Sequence, residues 1–136
     1  MKMPKLTTIE GIGEALAAKL KGAGVGSTES LLKRGATKKG RQELAAATGI
    51  DEARILRFVN HADLMRIRGV GGEYAELLEA AGVDSVPELK ARKAANLHEA
   101  MARTNMAKEL VRQVPSEKQV TGWVGQARTL TTVVRH

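Results

Sequence analysis

The sequence predicts an all-α protein made of two copies of one helical unit, and three observations predict it. No stretch alternates apolar and polar residues long enough to make a strand. Several segments instead space apolar residues by three and four, between residues that start or stop helices. Shifted by 58 residues, the chain also superimposes on itself: ten of the 23 positions in Ile9–Leu31 are identical in Ile67–Leu89. The ten are Ile9, Gly11, Gly13, Ala17, Leu20, Ala23, Gly24, Val25, Ser27 and Leu31. Beyond them the register slips by small insertions and deletions, with Trp123-Val124 and Ala127 standing like Phe58-Val59 and Ala62. The units are therefore placed at 5–66 and 67–130, packed as one compact helical domain, with 131–136 as a tail.

The elements follow in order. Gly11-Ile-Gly13 signals a turn, and Glu14–Gly22 a helix that Gly24 ends, since glycine takes the left-handed cap at little cost. Ser27 and Ser85 are N-cap candidates, and Ser85-Val-Pro-Glu88 has the spacing of a capping box with proline in the first turn. Thr37–Thr48 is helical and Gly49 closes it. Asp51 caps a longer helix to about Met65, with Ile55, Val59 and Ala62 as its inner stripe and Arg54, Arg57 and Arg66 along it. In the second copy Asn105 starts a short helix that Pro115 ends, and Ser116-Glu-Lys-Gln119 is a second capping box. The helix it opens carries Val120, Trp123, Val124, Ala127 and Leu130 on one face. Eight to ten short helices are expected in all.

Composition narrows the function. At 136 residues and 43% apolar, the chain can bury a core and is not predominantly disordered. It has no cysteine, which excludes disulfides, thiolate metal sites and cysteine nucleophiles. Phe58, Tyr74 and Trp123 are too few for a platform that stacks single-stranded bases. A net charge of +7 and a pI near 10.0 point to a polyanionic partner. No apolar run approaches a membrane span, and no secretory leader is readable after Met1-Lys2-Met3-Pro4-Lys5, so the cytoplasm, with association to the nucleoid, is the expected location.

Catalysis finds no constellation. His61, His98 and His136 are scattered, with no metal-ligand spacing among them. Glu73, Glu76 and Glu79 read as a solvated helix face, and Gly69-Val-Gly71-Gly72 lacks the preceding strand of a nucleotide-binding fingerprint. Neither an enzymatic activity, a cofactor, a metal nor a small-molecule substrate is expected.

The two glycine turns carry the functional signal. Leu6-x-x-Ile9-x-Gly11-Ile12-Gly13-x-x-x-Ala17-x-x-Leu20 is matched by Leu64-x-x-Ile67-x-Gly69-Val70-Gly71-x-x-x-Ala75-x-x-Leu78. The first glycine permits a tight reversal, the apolar residue turns into the core, and the second glycine bares amides at a helix start, where the dipole favours an anion. Both segments resemble the helix-hairpin-helix motif. That resemblance implies docking on the sugar–phosphate backbone of duplex DNA without reading sequence. Gly11, Ile12 and Gly13, with Gly69, Val70 and Gly71, would supply the amides. Motif members often carry a basic residue after the second glycine. Here Glu14 follows Gly13, and Gly72-Glu73 follow Gly71, so the second turn is the poorer phosphate site, whereas the first has Lys19 and Lys21 nearby.

Charge agrees with that ranking: residues 1–66 hold 12 basic and 7 acidic groups, and residues 67–136 hold 10 and 8. The densest patch is Lys33, Arg34, Lys38, Lys39 and Arg41, five cations in nine residues with no acid among them. Clustered cations release counterions from nucleic acid; the plainer account is a solvated helix end, where cations also suit the dipole.

Further residues extend the resemblance to the whole chain. Gly40-Arg41 before Leu44-Ala45, Thr48-Gly49-Ile50, Phe58-Val59-Asn60, Asp63-Leu64-Met65-Arg66-Ile67 and Glu73-Tyr74-Ala75 stand in the first part. Ala81-Gly82-Val83, Asn105, Pro115-Ser116 and Trp123 follow. Over about residues 5–130 the chain resembles the family catalogued as domain of unknown function 4332. The resemblance implies a compact tandem helix-hairpin-helix protein and assigns no activity. The expected function is a non-catalytic, sequence-independent module for duplex DNA; the alternatives are a scaffold that binds a protein partner and a module for structured RNA.

Overall fold

The computed structural model describes residues 5–136, so the start of the chain through Pro4, where a leader was sought, lies outside the described residues. A single 3-10 turn, Leu6–Thr8, precedes eight α-helices among these residues. They are α1 (Glu14–Gly22), α2 (Thr28–Arg34), α3 (Lys38–Thr48), α4 (Glu52–Leu64), α5 (Gly72–Ala80), α6 (Val86–Lys90), α7 (Ala94–Lys108) and α8 (Glu117–Thr129). The helices gather into two compact units. The first runs to Asp63 and takes in Val133–His136; the second is Leu64–Thr132.

In the first unit, α3 packs against α1 and α2. Leu20, Val25, Leu31, Leu44, Ile55, Phe58 and Val59 are buried in it, together with Ile9 and Ile12 from the glycine turn. Helix α1 closes with both bonds of a Schellman motif: Val25 N–H donates to the Leu20 carbonyl at 2.8 Å and Gly24 N–H to that of Lys21 at 3.0 Å. Thr37 caps α3 by accepting from Gly40 N–H at 3.1 Å, and Gly49 ends it at φ +74°. The stripe on α4 is buried as its spacing predicts. Arg66 lies past the end of α4, where its Nη2 donates to the Thr131 carbonyl at 2.9 Å.

In the second unit, α8 packs against α6 and α7, and α7 against α5. Val120, Trp123, Val124 and Ala127 enter its core with Leu78, Leu89, Leu97 and Met101. Val83 and Gly82 close α5 by the same two bonds seen at α1, at 2.8 and 3.0 Å. The Ser116 box forms: Ser116 Oγ accepts from Gln119 N–H at 3.1 Å, and Gln119 Oε1 accepts from Ser116 N–H at 2.9 Å.

Two local expectations are corrected. Ser85 has N-cap angles but its side chain makes no capping bond, so its half of the box does not form. Asn105 does not start a helix; it sits in the last turn of the 15-residue α7. Its amide Nδ2 donates to the Val111 carbonyl at 3.0 Å, while its Oδ1 accepts from Val111 N–H at 2.9 Å. Asparagine thus stitches the chain reversal after the helix, and Glu109, at φ +50°, makes the left-handed exit. Residues 109–115 are consequently not helical.

Residues 133–136, expected as a tail, belong to the first unit: Val134 is buried and Arg135 N–H donates to the Ala36 carbonyl at 2.7 Å.

Candidate nucleic-acid interface

The two glycine turns have closely matching backbones. Gly11 lies at φ +94° and Gly69 at φ +97°, a region that L side chains rarely enter. A Cβ at Gly11 would also meet Phe58 Cε1 at 3.2 Å, and one at Gly69 would meet Trp123 Nε1 at 3.0 Å. Both first glycines are therefore needed by the fold itself. Between the glycines, Ile12 and Val70 are buried.

The second glycines differ in kind. Gly13 (φ −89°, ψ −174°) and Gly71 (φ −96°, ψ −169°) are extended, a conformation open to any residue. Both are exposed, and an added Cβ would meet nothing within 4 Å. Nothing inside either unit requires glycine there. Each is the N-cap of its helix, so no side chain caps the first-turn amides of α1 or α5.

Charge around the turns is mixed. Glu14 and Glu73 are both exposed in the first turns of α1 and α5. Glu14 lines a shallow groove with Leu6, Ala17, Ala18, Lys5 and Lys21. Lys19 and Lys21 occupy the last turn of α1. At 1.5 Å per residue they stand roughly 9 and 12 Å along the axis from Gly13, at the helix end whose dipole favours cations. Their proximity to the bared amides, expected from sequence, is thus not close; Lys21 reaches the groove, whereas Lys19 does not line it.

The basic patch separates into three kinds of residue. Arg41 is a correction: it is 3% exposed, donating from Nη1 to the Gly35 carbonyl at 2.8 Å and from Nη2 to the Arg135 carbonyl at 2.9 Å. It is a buried structural cation, removed from the surface because it shares the inner face of α3 with Leu44 and Thr48. Those three residues stand at i, i+3 and i+7 on one helix face, a spacing compatible with burial, though Lys38 three residues earlier on that face is exposed. Arg34 Nη1 donates to the Ala23 carbonyl at 3.1 Å, capping α1. Lys33, Lys38 and Lys39 remain exposed. Lys33 has Glu29 at 3.9 Å, a surface pair that contributes little. Lys33 lies in the last turn of α2, where the dipole accounts for it. Lys38 and Lys39 open α3, whose first turn holds no acid. There the dipole opposes them, so intrahelical electrostatics do not explain two cations at that end.

Among the described residues no group of three or more His, Asp or Glu side chains is placed to hold a metal ion, and no helix is long and apolar enough to cross a membrane.

A family model described as domain of unknown function (DUF4332) matches residues 10–130. No curated protein and no solved structure matches the chain.

Proposed function

The chain belongs to the family of domain of unknown function 4332, whose description carries no activity, and we propose that it is a non-catalytic module binding the backbone of duplex DNA without regard to sequence. One observation carries the reading: Gly13 is exposed, unstrained and free of neighbours, so its missing side chain serves an approach from outside. A phosphate can close on the first-turn amides of α1 with no Cβ in the way. The matching angles at Gly71 support reading the second turn as a copy of the first. Glu73, two residues from Gly71, shares its groove with a second acid, Glu109, and one cation, Arg112, which makes that copy the weaker site; Glu14 shares its groove with Lys5 and Lys21. Lys38 and Lys39 supply further cations on the same unit.

Phosphate contacts of this sort give affinity that falls steeply with salt. If three lysines each neutralise a phosphate, the slope of log K against log salt is about −2.7. The test is an anisotropy titration of a random duplex at two salt concentrations, with the wild-type chain, Gly13→Val, and Lys38→Glu with Lys39→Glu. Binding that weakens at least tenfold in the double variant, and clearly in Gly13→Val, is the expected result. Binding unchanged in both variants overturns the assignment. Tighter binding to structured RNA in direct competition, or a stoichiometric protein partner retained after nuclease treatment, would replace it with one of the two other readings.

A further inference from the structure

Arg41 poses a question that the surface reading leaves open. Its guanidinium is almost wholly buried, yet among the described residues no carboxylate lies within ion-pair distance. Its partners are two main-chain carbonyls, of Gly35 and Arg135. Taking a guanidinium out of water without a counter-charge is costly, and two carbonyl dipoles return only part of that cost.

The second carbonyl belongs to a short segment. Val133–His136 returns to the first unit outside any helix. It is held by the buried Val134 side chain, by the Arg135 N–H bond to Ala36, by the Arg41 bond, and by His136 Nε2 at 2.8 Å from Asn60 Oδ1. Through the Arg135 carbonyl the closed segment adds to the burial of a cation already on the inner face of α3, so closure is opposed in part: the apolar gain at Val134 is set against further desolvation at Arg41. A segment held on such terms lifts more easily than its burial alone suggests.

We propose that Val133–His136 is a releasable strap over a cryptic anion site, and that the lifted strap lets Arg41 pair with a phosphodiester of nucleic acid. Arg41 follows Lys38 by three residues on α3, so the two side chains are neighbours on the helix surface. With the strap lifted, Nη2 loses its carbonyl partner and is left with an open donor on the helix that carries the exposed Lys38. A ligand that binds only this open form shifts the equilibrium towards it, and the apparent affinity scales with the open fraction. The inference rests on the nucleic-acid reading given above and adds a regulated contact to it.

The test uses the full chain in four forms: wild type, Val134→Ser, Arg41→Gln, and the two changes together. Val134→Ser loosens the strap without changing charge. Duplex affinity should rise about threefold to tenfold in Val134→Ser, and Arg41→Gln should cancel that gain. Exchange of the Arg135 amide hydrogen should speed up in Val134→Ser, and in the wild type when random duplex is added. Should Val134→Ser fold poorly, His136→Ala loosens the strap at Asn60 while leaving Val134 in place, and the same rise is expected. Duplex binding that is equal in all forms, with Arg135 exchange unmoved by DNA, overturns the strap and leaves the nucleic-acid reading standing. Absence of duplex binding in every form overturns both.

Discussion

Replacing Gly69 and Gly71 singly by alanine separates what the fold needs from what it leaves free. At Gly69, alanine must hold φ near +97°, and residues kept in such regions cost about 1–3 kcal/mol. Its Cβ would in addition stand 3.0 Å from Trp123 Nε1, an atom of a rigid, buried ring. Together these predict a loss of about 3 kcal/mol. At Gly71 the angles suit alanine and its Cβ meets nothing within 4 Å. Restricting the unfolded chain there stabilises by about 0.4–1 kcal/mol. Loss of glycine's preference for the N-cap offsets that, so the net change stays within about 0.5 kcal/mol of zero. Trp123 is the chain's only tryptophan and belongs to the same unit, so urea unfolding followed by its fluorescence reads both variants. With a slope of about 2 kcal/mol per molar urea, Gly69→Ala should lower the midpoint by about 1.5 M. Gly71→Ala should move it by less than about 0.3 M. Equal losses in the two variants would refute the argument that only the first glycine of each turn serves the fold.

Three further outcomes are expected from unfolding measurements, with Trp123 as the probe for the second unit and circular dichroism for Gly35 in the first. Ser116→Ala should cost about 1 kcal/mol because the Ser116 Oγ that accepts from Gln119 N–H is lost, whereas Ser85→Ala, which removes no capping bond, should cost less than half of that. Asn105→Ala should cost about 2 kcal/mol and raise amide exchange at Val111, since both bonds that stitch the reversal after α7 go with one side chain. Gly35→Ala should lower thermal stability by about 2–3 kcal/mol, because its Cβ would overlap Val59 Cγ2 and lie 3.1 Å from the Leu31 carbonyl oxygen; Val59→Ala in the same chain should recover part of that loss.

Helix positions were legible because their determinants are local. Thr37, Ser116 and Gly49 act on amides and carbonyls a few residues away, and their roles follow from residue type and spacing. The inner stripes of α4 and α8 follow from period alone. Asn105 misled because asparagine serves both a helix start and a chain reversal; which one it serves depends on where Val111 lies, and spacing does not state that. The candidate site divides the same way. The paired glycine turns stand in the sequence, but the difference between a glycine forced by its φ angle and one left open to solvent does not.

By itself, then, the sequence determined the helical class, the similarity between two halves of the chain, the turn positions and the surplus of positive charge, since each is set by residue type at short range. Only the tertiary structure decided which cations face water. Arg41 and Lys38 are a turn apart on one helix, yet one is buried against main-chain carbonyls and the other is exposed. That outcome is set by Gly35, Ala36 and the returning Val133–His136, segments about a hundred residues apart in the chain, whose meeting is a product of packing.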